Sequence, residues 1–184
     1  ISHIKQKHII FKKIIPIGFV ILALYLFTKK TRLHFLNIAD VVAGIAPIGL
    51  FLGRIGNFIN GELYGRIAAQ NSFLSKICIY FPDDPGNCRI PSQLLEAFLE
   101  GIVLFMILRF VGNKKQPAGI LSSLFLVFYG IFRIFAEAFR EPDSQIGFLF
   151  NWLTEGQILS AIMAAVGLII FFIIRFGGSA VRQR

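Results

Sequence analysis

Apolar residues gather in long runs along this chain, and short polar bridges separate them. A helix that crosses a bilayer needs about 20 mostly apolar residues, and five segments are candidates. The first, about Ile14 to Phe27, "IIPIGFVILALYLF", is short and carries Pro16. The second runs from about Ile38 to Phe58 and the third from about Leu94 to Val111. The fourth, about Ala118 to Phe139, turns polar at its far end, and the fifth, about Gln157 to Phe176, is the cleanest. No cleavage pattern precedes them, so all are read as permanent spans. The pattern predicts an all-α, polytopic transmembrane protein of about four to five spanning helices with one long loop outside the membrane.

The bridges supply an orientation. "TKKTR", "RFVGNKK" and "IIRF…VRQR" follow the first, third and fifth runs. Lys and Arg are enriched in cytoplasmic flanks, so these three share the cytoplasmic side, the C-terminus included. Alternation puts 61–91 and 141–155 on the opposite side of the membrane. "KQKHIIFKK", with four lysines, breaks the rule at the start. The outer segment "FPDDPGNCRIPSQ" reads as irregular loop from its Pro, Gly, Asp and Asn content, and Pro91 or Ser92 can open the third helix.

Composition agrees: the 184 residues are 55% hydrophobic with 21 phenylalanines and only 16% charged residues. A net charge of +9 raises the possibility of nucleic acid. The basic residues, however, lie in short clusters between apolar runs and fit loops beside an anionic membrane surface. We expect no nucleic-acid partner. Cys78 and Cys88, ten apart in the most polar stretch, do not form a zinc signature. They read as loop thiols, unpaired or incidentally paired, and no metal or cofactor is expected. The chain begins with Ile1 and has no Met before Met106, which suggests a truncated or altered reading frame.

Charges inside the runs change the picture most. An ionisable group at membrane depth costs about 2.5–3.5 kcal/mol on insertion scales, so it faces a partner or a cavity. In "GRIGNFINGELYGR", residues 53–66, Arg54 and Asn57 share a helix face, and glycines allow tight turns. In "YGIFRIFAEAFREPD", Tyr129, Arg133, Glu137 and Arg140 are placed along one stripe of the fourth helix. These groups can be braces: Arg54 and Arg66 with Glu62, Glu96 or Glu100, and Arg133 with Glu137. They can also be a phosphate site, because the spans count more positive than negative groups and guanidinium binds phosphate bidentately. An arginine-lined pocket for a phospholipid head group is as far as these residues lead.

"GRIGNFINGELYGR" also resembles the signature of the bacterial prolipoprotein diacylglyceryl transferases. "RIPSQLLEAFLEG", "YGIFRIFAEAFREPD" and "LTEGQILS" resemble that family's later blocks in the same order, so the resemblance covers about Gly18 onward. It implies transfer of a diacylglyceryl group from phosphatidylglycerol to the thiol of a prolipoprotein lipobox cysteine, with glycerol phosphate leaving. It also implies that Cys78 and Cys88 take no part. By motif position it points to Arg54, Asn57, Arg133 and Glu137 as catalytic. Arg54, Asn57, Asn60, Glu62, Gly65, Arg66, Arg133 and Arg140 are pointed to as phosphatidylglycerol-binding. Arg54 and Arg133 would touch phosphate, Glu62 and Glu137 would orient the arginines, and Asn57 would reach the head group or fix the turn.

The family's leading helices and a His-Gly-Gly motif, whose histidine is proposed to handle the thiol proton, have no counterpart here. The expected place reads "FKKIIPIG". His3 and His8 read as ordinary terminal residues, and His34 lies on the wrong side of the membrane. Residues 1–17 are therefore taken as an atypical segment and 18–184 as the C-terminal part of a transferase-like membrane domain. Two alternatives follow. The chain is a non-catalytic remnant, or it is one half of a split enzyme whose partner is a separately encoded N-terminal fragment. A small membrane transporter is a third reading, but it calls for broken helices and inverted halves that the sequence does not display.

Overall fold

The computed structural model describes residues 18–20, 22–69, 72–141, 148–149 and 153–181, and these are mostly helical. Helix α1 is described over 18–20 and 22–31. Ile14 to Ile17 of the first expected span, and His3 and His8, lie outside the described residues. Helix α2 is Phe35–Ile59 and keeps Pro47 buried inside it. Helix α3 is continuous through Ser92–Glu96, a π-helical stretch Ala97–Val103 and Leu104–Gly112. At 1.5 Å per residue it is about 31 Å long. Helices α4 and α5 are Ile120–Glu137 and Glu155–Val181. Three stretches among the described residues are long and apolar enough to cross a membrane: Phe35–Ile59, Ile120–Glu137 and Gly156–Gly177.

Helix ends fall where their orphan backbone groups find partners. Helix α5 starts with a reciprocal capping box: Gln157 N–H donates to Thr154 Oγ1, and Thr154 N–H donates to Gln157 Oε1, both at 3.2 Å. Helix α4 is capped from another helix. Asp40 of α2 accepts the N–H groups of Gly119 and Ser122 at 2.7 and 2.8 Å. The negative carboxylate there also suits the positive end of the helix dipole.

Small residues let the helices approach closely, as in membrane helix pairs. A Cβ on Gly130 of α4 would stand 2.6 Å from the Ser160 carbonyl of α5, and one on Gly167 of α5 would stand 2.8 Å from the Ser123 carbonyl of α4. The buried core is thin and includes Leu104, Leu108, Ile120, Val127 and Ala136. Ile45, Leu52, Met106, Phe110, Ile162 and Phe172 stand exposed on the outside. So much contiguous apolar surface suits hydrocarbon rather than water.

Two expectations about the outer segment are corrected. "FPDDPGNCRIPSQ" is not irregular: strands β1 (Ile79–Phe81) and β2 (Asp84–Arg89) form an antiparallel hairpin, with Phe81 paired to Asp84. Composition concealed it because Pro82 and Asp83 sit in the turn, while Pro85 and Gly86 lie within a short edge strand. Nor are the cysteines unpaired or incidental. Cys78 and Cys88 form a disulfide with Cα atoms 5.3 Å apart, and the bridge ties the hairpin's two arms together. A second small hairpin, β3 (Phe148–Leu149) with β4 (Leu153–Thr154), leads into α5.

Candidate functional site

Three helices deliver charge to one point. Arg54 lies near the end of α2, Glu96 and Glu100 near the start of α3, and Arg133 and Glu137 near the end of α4. Their antiparallel order brings these ends together. Arg54 Nη2 lies 2.8 Å from Glu96 Oε2 and 3.3 Å from Glu100 Oε2. Arg133 Nη1 lies 2.5 Å from the same Glu96 oxygen and 3.6 Å from Glu100 Oε1, while its Nη2 lies 2.9 Å from Glu137 Oε2. One carboxylate oxygen thus bridges the two arginines. Glu96 and Glu100 are 1% and 0% exposed. They occupy the junction of α3 with its π-helical stretch, a distortion that recurs at functional sites.

The brace and the i,i+4 pair weighed from sequence are therefore both present. The expected surplus of positive charge is not. Three carboxylates face two guanidiniums, and adding Arg66, Arg140 and Glu62 makes four of each sign. Any hold on an anion must come from donors the carboxylates leave open. Arg54 provides them: among the described residues its contacts all run through Nη2, leaving Nε and Nη1. Acceptors are open as well. Gln93 Oε1 and Glu96 Oε1 are buried with no hydrogen-bond partner among the described residues.

The segment after α2 roofs this cluster. Asn57 fixes the turn through its backbone, its carbonyl accepting Glu62 N–H at 2.9 Å, and Asn60 caps α2. Gly61 takes φ +69°, as a tight turn demands. The chain then threads between β2 and the end of α4. Gly65 N–H donates to the Ile90 carbonyl at 2.8 Å, and Arg66 N–H donates to the Phe139 carbonyl at 3.0 Å. A Cβ on Gly65 would stand 2.6 Å from both of those carbonyl oxygens, so only glycine fits. Gln93 Nε2 donates to the Glu62 carbonyl at 2.7 Å, which ties the same segment to α3.

Two sequence expectations are revised by this geometry. Arg140 is not on the stripe of α4, because the helix stops at Glu137 and Arg140 forms a backbone bridge with Gly65. Arg66 Nε donates to the Arg140 carbonyl at 3.0 Å, so these two arginines knit the roof together. Glu62 is exposed and makes no ion pair with Arg54 or Arg133; Glu96, Glu100 and Glu137 hold them instead.

Sequence reasoning also passed over Arg89. It donates from Nε to Asp84 at 2.6 Å, pairs through Nη1 with Glu141 beyond α4, and lies 4.7 Å above the Tyr64 ring. Burial pulls its pKa down, but Asp84 and Glu141 outweigh that and hold it above the ordinary arginine value. The hydrogen bond from Asn87, and then Arg89, holds Asp84 below the usual carboxylate range.

The stretch of chain that builds this buried set of arginines and carboxylates also matches a known family. The sequence model for prolipoprotein diacylglyceryl transferase matches residues 17–173. The chain belongs to that family. Among its relatives, the phosphatidylglycerol–prolipoprotein diacylglyceryl transferase of Rickettsia bellii is 53% identical over 152 residues, covering 81% of this chain and 56% of the relative. The enzyme of the same name from Teredinibacter turnerae is 50% identical over 154 residues, covering 83% of this chain and 52% of the relative. The chain spans about half the length of these transferases. Arg54, Glu96, Glu100, Arg133 and Glu137 all lie inside the part matched by the family model.

Proposed function

We propose that this chain carries the phosphate-gripping centre for transfer of a diacylglyceryl group from phosphatidylglycerol to a prolipoprotein lipobox cysteine. The sulfur forms a bond to the glyceryl carbon and the carbon–oxygen bond to phosphate breaks. Glycerol phosphate leaves, carrying, in the net balance, the proton that the thiol gives up. Arg54 and Arg133 are the phosphate contacts, and they favour the step by stabilising charge on the leaving group. Glu96, Glu100 and Glu137 hold the two guanidiniums in register, and Asn57, Asn60, Glu62, Gly65, Arg66 and Arg140 shape the roof.

The observation that supports this most is the meeting of Arg54 and Arg133, from different helices, on one Glu96 oxygen. The Lys and Arg clusters that follow α1, α3 and α5 support an orientation. The cluster faces the outer leaflet of a bacterial inner membrane, four to five of the helices α1 to α5 cross it, and the C-terminus is cytoplasmic. The reading assigns the base for the thiol proton to a part of the relatives that this chain does not span. It treats 1–17 as outside the transferase domain and 18–184 as that domain's C-terminal part.

Isotope-labelled phosphatidylglycerol and a lipobox peptide test the proposal. They are added to membranes containing this chain alone, and to membranes that also contain a relative's N-terminal His-Gly-Gly span. Labelled thioether in either preparation, lost on Arg133→Gln, supports it. Thioether in neither overturns it.

A further inference from the structure

The opposite end of the same helices carries a different feature. Asp40, Arg109 and Leu121 lie 14, 13 and 12 residues from Arg54, Glu96 and Arg133 along α2, α3 and α4. At 1.5 Å per residue that is about 20 Å from the cluster. There a groove of about 350 Å³ runs between α2, the end of α3 and the start of α4, walled by Val41, Gly44, Ile45, Leu108 and Leu121. Its volume falls in the range of about 300–1,000 Å³ typical of ligand pockets. Its walls are apolar, and Val41 and Ile45 are exposed on the lipid-facing side.

Two charged side chains also line it, Asp40 and Arg109. Both Asp40 oxygens are taken by the N–H groups of Gly119 and Ser122. Arg109 has no ion pair or hydrogen bond from its side chain among the described residues. An apolar slot open to hydrocarbon, with a guanidinium in its lining that has no partner among the described residues, complements a lipid with a negative head.

We propose that this groove is a second lipid site, in the leaflet opposite the arginine–carboxylate cluster. It holds an anionic phospholipid with the phosphate on Arg109 and an acyl chain along α2 and α4. It is separate from the transfer reaction and stands whether or not that reaction occurs. Its role is to seat the ends of α2, α3 and α4 in the membrane.

The test uses the full chain in phosphatidylcholine nanodiscs with photoactivatable lipids. One probe is phosphatidylglycerol and the other phosphatidylcholine, each with a diazirine in one acyl chain; labelled peptides are identified by mass spectrometry. The phosphatidylglycerol probe should label 40–45 and 108–112 about fivefold more than its neutral counterpart, as expected for a cation near the membrane surface. Arg109→Gln should remove that preference and Arg109→Lys should keep it. Gly44 lines the groove and a Cβ there meets nothing within 4 Å, so Gly44→Leu should occupy groove space and lower labelling by both probes. Equal labelling by the two probes in the unaltered chain, or a preference that survives Arg109→Gln, overturns the site. Labelling beside Arg54 and Arg133 is read in the same digest and reports separately on the substrate site.

Discussion

Removing Arg133 should damage this fold far more than removing the carboxylate it shares with Arg54. In Arg133→Gln, Glu96 and Glu100 keep Arg54 at 2.8 and 3.3 Å. Glu137, only 7% exposed, keeps no cation among the described residues. Stranding a buried charge costs about 3–5 kcal/mol. For a chain of this size, that is on the order of 10 °C in melting temperature. In Glu96→Gln each arginine retains a carboxylate, Arg54 with Glu100 and Arg133 with Glu137. That change loses charge-assisted hydrogen bonding of about 1.5–3 kcal/mol. The double variant Arg133→Gln/Glu137→Gln removes the stranded charge and should recover about half the loss. Fluorescence-detected chromatography after heating in detergent ranks the three variants. If Glu96→Gln melts as low as Arg133→Gln, or the double variant is no better than the single, the charge arithmetic is wrong.

Three further outcomes follow from the roof. Gly65→Ala would press a methyl between two carbonyl oxygens, displace the segment, and cost about 1–3 kcal/mol, visible as a lower melting temperature. Reducing the Cys78–Cys88 bridge, which closes a separation of ten residues, should cost about 2.5–3 kcal/mol of local stability. Hydrogen exchange should then speed up at 65–69 and 88–90 but not in α4 or α5. Asp84 titrates below its ordinary 3.8, so its staple to Arg89 and Asn87 is in force above that value and is lost as pH falls below it. Limited proteolysis of the hairpin should rise in that acid range, and Asp84→Asn should be cleaved readily at every pH.

The helices were legible because lipid imposes a one-dimensional rule: a run must be long and apolar, wherever it packs. Pro91 and Ser92 were legible as a helix start for the same local reason. The site was legible only in part. Arg54, Arg133 and Glu137 stood out as charges in apolar runs. Glu96 was one of the partners considered for Arg54, but its bridging of Arg54 and Arg133 was not legible, since which helix ends meet is a tertiary fact. The expected surplus of positive charge failed for that reason: counting along the sequence cannot weight a carboxylate by its place in the cluster. Arg140 was misplaced because the i,i+7 spacing from Arg133 holds only while the helix continues. It ends at Glu137, so Arg140 falls beyond the helix. The hairpin was missed because only its short first arm, Ile79–Phe81, carries strand-forming residues, while a disulfide and Arg89 hold the second arm in place.

The most direct measurement is the distance between guanidinium nitrogen and lipid phosphorus. Solid-state NMR on ¹⁵N-arginine protein in phosphatidylglycerol bilayers reads it as ³¹P dephasing. The account predicts a short-range signal that is weakened in Arg54→Gln by the loss of the outer-leaflet contact and weakened in Arg109→Gln by the contribution of the opposite leaflet alone. A signal untouched by Arg54→Gln, or none at all, would contradict it.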